Sequence, residues 1–338
     1  MAKAKDNEAV TPQKLQQDLW AVLAAQALIT GTELDVFTII SEGNRTPKEV
    51  ARRAKANVRG IRMLLDALTG LGYLNKKGEK YGLEPISEKF LVRGKPAYMG
   101  DFSVTANLTR PGWFQLSEVV RSGKPVAAVD AEESGKEFFP KLVAALFPGS
   151  YAASRAALAS LSNKTRDGIG HVLDVAAGSG AWSIPFAQEN PETKVTVVDF
   201  AEVTPITREF TSKYGVADQY DYIEQNIRQA DFGKNLYDLV ILGHIIHSEG
   251  EKWGKNLIKK SFRALKPGGL LLIAEMVPND TRTEPPMPLL FGLNMLVHTA
   301  DGDVFTMKEY REWLKAAGFK KVATIQAPAP SPLILATK

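Results

Sequence analysis

Apolar residues in the first hundred positions recur mostly at helical spacing. Leu15, Leu19, Val22, Leu23 and Ala27 predict a helix over 13–30, ended by Gly31. Leu34, Val36, Phe37, Ile39 and Ile40 form a second apolar cluster. Thr46-Pro47-Lys48-Glu49 is a capping-box pattern with proline at the first helical position, and predicts a short helix to Ala54. Asn57 can cap a further helix, with Ile61, Leu64, Leu65 and Leu68 on one side and Gly70 and Gly72 as its stop. From Tyr73 to Leu83 the pattern predicts a two-stranded hairpin whose tip carries Lys76 and Lys77. Positions 97–165 again read as helical and are rich in aromatics, Trp113 and Phe147 among them.

From His171 the pattern changes to strands alternating with helices. The predicted strands are His171–Val175, Val195–Asp199, Tyr220–Ile223, Tyr237–Leu242 and Leu270–Ala274. Predicted helices lie at about Ala181–Glu189, Val203–Tyr214, Lys252–Leu265 and Met307–Ala317. This alternation predicts an α/β fold with a Rossmann-like, doubly wound, mostly parallel sheet. Two more strands, at 321–325 and 332–336, are joined by a link too short for a helical crossover, so they should run antiparallel. The expected division is a mainly helical domain over 1–100, a helical linker and pocket wall over 101–165, and the sheet domain over 166–338.

Composition narrows the chemistry. The 338 residues contain no cysteine, which excludes disulfides, thiolate catalysis and a Cys-ligated zinc site. We expect no metal. Only four histidines are present: His171, His244, His247 and His298. The first hundred residues hold 16 basic and 11 acidic side chains, while the rest is nearly neutral. Helix, turn, helix, hairpin is the order of a winged helix, so the basic surplus raises a ligand-sensing DNA-binding regulator as one reading. No apolar run is expected to reach the ~20 residues a membrane span needs. The stretch Leu19–Thr30 is interrupted by Gln26 and lacks a cleavage signal, so a cytoplasmic protein is expected.

Between the first strand and helix of the sheet domain lies Asp174-Val175-Ala176-Ala177-Gly178-Ser179-Gly180. Small residues there let a ligand approach the backbone, and the helix N-terminus offers free N–H groups. Asp199 ends the next strand, where an acid can hold a ribose diol. A dinucleotide fingerprint would need a third glycine, but Trp182 and Ser183 occupy that region. A carboxylate at Asp174 would repel a pyrophosphate and attract an ammonium. The loop therefore favours S-adenosyl-L-methionine, with Asp174, Ala176, Gly178, Gly180 and Asp199 around it. The strand at 237–242 runs into Gly243-His244-Ile245-Ile246-His247, and its neighbour ends at Glu275. Adjacent strand ends should bring an imidazole and a carboxylate into one crevice. Imidazole is a natural base for a phenol.

These motifs resemble the class I S-adenosylmethionine-dependent small-molecule O-methyltransferases with an N-terminal winged-helix dimerisation domain. The resemblance spans nearly the whole chain. Asp174 to Gly180 matches the family's D-V-G-G-G-x-G loop with Ala176 and Ala177 in place of two glycines, and Leu265 to Gly269 matches its L-K-P-G-G turn. It implies a homodimer acting on a small aromatic or polyketide-like acceptor, without nucleic acid or membrane partners. It implies His247 as general base and Glu275 as its orienter, although Ser248 and Glu249 replace the usual Asp and Trp. Phe200 and Ile227 would wall the cofactor, Gly243 would face it, and the Asn226 side-chain carbonyl would accept from the adenine amino group. Trp113, Phe147, Asn294, Met295 and His298 would line the acceptor. The altered residues after His247 leave methylation at nitrogen or carbon, or a non-methylating descendant, as alternatives.

Overall fold

The structure is a computed structural model and describes residues 11–126 and 132–338. It divides into two compact units, meeting in sequence at Ala106 and Asn107.

The first unit begins with helices α1 (Gln13–Glu33), α2 (Val36–Ser41), α3 (Pro47–Arg53) and α4 (Val58–Gly70). The hairpin β1 (Leu74–Lys77) and β2 (Lys80–Leu83) follows, then α5 (Pro85–Phe90). The expected caps are present. Thr46 and Glu49 form a reciprocal box at α3, and Asn57 Oδ1 accepts from the Arg59 and Gly60 amides at α4. Val36, Phe37, Ile40, Leu65 and Leu68 bury the inner faces in one core. Part of the basic surplus is paired within this unit: Asp66 takes Arg62 at 3.0 Å, Lys76 at 2.6 Å and the Tyr81 hydroxyl at 2.6 Å.

Helix α6 (Gly100–Trp113) runs across the division in sequence, and the second unit continues with α7 (Leu116–Ser122), α8 (Glu132–Ser160) and α9 (Asn163–Asp167). By length and composition alone Leu142–Ser160 could cross a membrane, contrary to the expectation that no apolar stretch is that long. Its Phe147, Ala153, Ala157 and Leu158 are instead built into the core beside the sheet.

The sheet then alternates with helices: β3 (His171–Val175), α10 (Ile184–Glu189), β4 (Lys194–Asp199), α11 (Thr204–Lys213), β5 (Tyr220–Glu224), β6 (Tyr237–Gly243), α12 (Ile246–Ala264) and β7 (Leu265–Ala274). Helices α13 (Pro286–His298) and α14 (Met307–Ala317) precede β8 (Lys321–Ile325) and β9 (Leu333–Thr337). The seven strands lie in the order β5-β4-β3-β6-β7-β9-β8. β3 through β7 are parallel, and β9 is antiparallel to both its neighbours. The order reverses between β3 and β6, and such a switch point opens a crevice beyond the carboxyl ends of the strands. Register aligns those ends, pairing Val175 with Val198 and Leu242, and Gly243 with Ala274.

Helix α12 starts earlier than its expected start at Lys252. Helical hydrogen bonding continues back to Ile246, with a break at Gly250, so His247 lies on a helical turn and not in a loop. That turn owes its place to a carboxylate at the end of the neighbouring strand, Glu275, rather than to helical periodicity.

Leu173 lies fully buried at the sheet centre. Leu173→Ala should lower stability by about 2–5 kcal/mol, because neighbouring strands cannot close the cavity. Urea unfolding measures the loss.

Candidate active site

The loop after β3 is held open by its backbone. Ala176 and Gly178 have φ of 54° and 58°, the left-handed region that favours glycine. A side chain at Gly178 would also press on Val143 of α8, 2.9 Å away. Thr207 on α11 donates to the Gly178 carbonyl at 2.5 Å. The Gly178 amide donates to Asp199 Oδ2 at 2.8 Å, and the Phe200 amide to Oδ1 at 2.8 Å. Asp199 is thus aimed by two amides and keeps lone pairs for further donors.

Asp174 is buried, and neither carboxylate oxygen has a hydrogen-bond partner of good geometry, although Ser183 lies close enough to offset part of the cost of burial. Burial pushes Asp174 up to about 7 and Asp199 up to about 6. Two desolvated acids, one orphaned, beside a loop of small residues suit a ligand with an ammonium and a ribose diol. The residues present fit S-adenosylmethionine.

Across the switch point, Glu275 follows β7 and His247 sits on the first turn of α12. Glu275 Oε1 accepts from the Ile246 and His247 amides at 2.7 and 3.2 Å. Its Oε2 lies 2.6 Å from His247 Nδ1. Burial alone would raise the Glu275 pKa, yet its interactions with His247, hydrogen bonds included, hold it below the usual carboxylate range. An ionised carboxylate can only accept, so Nδ1 carries a proton, and in the neutral imidazole the lone pair then lies on Nε2. The carboxylate also satisfies two orphan amides of the α12 N-terminus, which is why the helix begins there. Phe291 meets the His247 ring edge-on at 4.9 Å.

His244 has a left-handed φ of 59° and leans on Trp182 at 5.8 Å and His247 at 6.1 Å. Burial lowers its pKa to about 4, so it is a neutral imidazole at physiological pH. His244, His247 and Glu275 offer ligand atoms within 4.8 Å of one another. The 2.6 Å His247–Glu275 contact is, however, a hydrogen bond that commits Nδ1.

The structure brings several other expected residues together. Trp113 Nε1 donates to Asn294 Oδ1 at 2.9 Å. His298 and Val297 pack where a side chain on Gly112 would stand. Met295 and His298 are buried in α13, and Ile227 is buried after β5.

Phe147 stacks on Phe210 at 4.3 Å and on Tyr151 at 5.4 Å, which packs α8 against α11. Trp182 fills the space over Gly243, where any side chain would overlap the indole. Asn226 Oδ1 accepts from the Arg228 amide at 2.9 Å, which caps the local turn and leaves a second lone pair on that oxygen and the side-chain NH₂ for other partners. Phe291 shares a helical face with Asn294 and His298. The sequence assigned no role to Arg228. Nothing local marks Arg228, whose partner Glu249 is 21 residues away.

Residues 141–320 match the model of the O-methyltransferase domain, and residues 19–93 match that of the O-methyltransferase dimerisation domain. The chain is 29% identical to the tetracenomycin polyketide synthesis 8-O-methyltransferase of Streptomyces glaucescens, over 97% of each chain. It is 29% identical to the 3-hydroxy-5-methyl-1-naphthoate 3-O-methyltransferase of Streptomyces sahachiroi, over 94% of this chain and 91% of the other. A crystal structure from Nostoc punctiforme, assigned as an O-methyltransferase, superposes with a TM-score of 0.87 at 28% identity, covering 98% of this chain and 100% of that one. The chain belongs to the O-methyltransferase family and is an S-adenosylmethionine-dependent enzyme.

Asp199→Ala should abolish the calorimetric signal of S-adenosylhomocysteine binding. A second expectation concerns pH. Asp174 and Asp199 hold protons more tightly folded than unfolded, so the ligand-free protein should lose stability as pH rises from 3.8 through about 7. Asp174→Asn should flatten this decline and raise the neutral-pH melting midpoint by on the order of 5 °C, read by scanning calorimetry.

Proposed function

We propose that this O-methyltransferase methylates a hydroxyl of a small aromatic or polyketide-like acceptor, with His247 as general base and Glu275 as its orienter. The 2.6 Å contact between Glu275 Oε2 and His247 Nδ1 carries the reading. It fixes the tautomer that leaves Nε2 able to take a proton, and an ionised Glu275 favours the imidazolium that forms.

S-adenosylmethionine, when bound, supplies an activated methyl on a sulfonium. Asp199 would hold its ribose hydroxyls and Asp174 its ammonium. Ala176, Gly178 and Gly180 would offer the backbone, Phe200 and Ile227 the apolar walls, and the Asn226 amide the edge of the base. His247 Nε2 would take the acceptor's hydroxyl proton and so ready the oxygen for the methyl that the cofactor would supply. The chain contributes mainly alignment, since the methyl is already activated.

Aromatic acceptors are favoured by the edge of Phe291 on one side of His247 and by the Trp113–Asn294 pair, whose indole is a flat apolar surface. Met295 and His298 stand on the same helix as Asn294 and are buried. The two Streptomyces relatives act, by name, on a polyketide and a naphthoate. The three-part division expected from sequence then gains roles: residues 1–100 pair two copies of the chain, 101–165 wall the acceptor, and 166–338 carry cofactor and base. Exposed Leu15, Leu19, Trp20 and Leu23 on α1 support the pairing role.

His247→Ala should leave S-adenosylhomocysteine binding intact and reduce turnover by about 10²–10⁴-fold. A screen of phenolic and polyketide-like acceptors with labelled methyl donor supplies the assay. Glu275→Gln should lose more than a hydrogen bond's worth of rate, because it can neither fix the tautomer nor favour the imidazolium. Unchanged turnover in His247→Ala would remove the base assignment.

A further inference from the structure

Helix α12 is broken at Gly250, whose φ of 73° and ψ of 179° are non-helical. The carbonyl of Asp301 sits where a side chain at that position would stand, so packing fixes the break. Before it lies the turn that carries His247; after it the helix resumes. Glu275 grips the start of the turn. The Asp303 amide donates to the His247 carbonyl at 2.9 Å in mid-turn, which leaves the far end at Glu249 to be held from another element.

Arg228 reaches both sides of the break. Its Nε donates to Glu249 Oε2 at 2.7 Å, one residue before Gly250. Its guanidinium lies 5.0 Å from the ring of Trp253, three residues after it. The Glu249 side chain is only 10% exposed and that of Arg228 30%, so water screens the pair weakly. Arg228 is itself rooted in the turn after β5, where its amide is capped by Asn226. The same turn is tied further along α12, where Lys260 Nζ donates to the Ile227 carbonyl at 2.7 Å.

We infer that Arg228, through Glu249 and Trp253, is a positioning residue for His247. It braces α12 across Gly250 and joins the turn of Asn226 and Ile227 to the turn of the base. The inference rests on the reading of His247 as base. It predicts an effect on rate rather than on acceptor affinity, since Arg228 acts through the helix. A misplacement near 1 Å at a reacting group can cost about a hundredfold in rate. An ion pair of surface type would instead contribute little to anything.

The test is kcat at saturating S-adenosylmethionine and acceptor for Arg228→Met, Glu249→Gln, the double variant and Arg228→Lys. Each single variant should lower kcat by about 10- to 100-fold, with acceptor KM held within about twofold. The double variant should be no slower than the slower single, as expected for two groups acting as one unit. Arg228→Lys should recover part of the lost rate, because lysine keeps the charge opposite Glu249 but loses the planar guanidinium. Additive losses in the double variant, a shift confined to KM, or a fall in melting midpoint alone would overturn the brace. His247→Asn, measured alongside, separates the two claims. Turnover that survives in His247→Asn overturns the base assignment itself. Turnover lost there but unchanged in Arg228→Met and Glu249→Gln overturns only the brace.

Discussion

The Glu275 carboxylate is the interaction on which the start of α12 and the placing of His247 depend. It is buried at the end of a central strand and takes three donors from a single helical turn. Two are backbone amides that would otherwise be unsatisfied at the start of α12, and the third is the imidazole of His247. One desolvated charge therefore starts the helix and holds the His247 ring by its Nδ1. Burying a carboxylate is costly unless its lone pairs are used, and here they are. The fold meets that cost by aligning β6 with β7, so that Gly243 and Ala274 pair and the two chain ends leave the sheet side by side.

The cofactor side follows a different electrostatic rule. Asp174 and Asp199 are buried, and burial raises both. Asp199 is at least oriented by two amides, whereas Asp174 has no good partner. Such a pair is a poor contribution to stability and a good receptor for a ligand that brings its own positive charge and donors. Structural carboxylates elsewhere behave in the opposite way. Asp66 is surrounded by Arg62, Lys76 and Tyr81, and the hydrogen bonds from Lys76 and Tyr81 lower its pKa. The contrast separates an acid paired within the fold from acids left desolvated in it.

Most of the architecture is legible along the chain because it follows from local rules. The capping box at Thr46, the Asn57 cap and the alternation after His171 each depend on residues a few positions apart. The cofactor loop is legible for the same reason: small residues between a strand and a helix, followed by an acid one strand later. The start of α12 is not, because its stabilising acceptor, Glu275, lies 28 residues beyond His247. The role of Phe147 is hidden because an aromatic on an amphipathic helix looks the same whether it meets a ligand or Phe210. The packing of Trp182 over Gly243 is hidden because the indole comes from another strand's loop.

The sequence by itself therefore determined the mostly parallel sheet, the loop of small residues after β3 and the short list of groups able to act as base. These rest on periodicity, turn chemistry and residue type, which are properties of neighbours in the chain. Only the tertiary structure decided which ring nitrogen of His247 meets the Glu275 carboxylate and which aromatic ring meets the imidazole. It alone brought Arg228 to Glu249 across the break at Gly250. Those outcomes depend on contacts between residues far apart in sequence, set by strand register and side-chain packing, which no local pattern encodes.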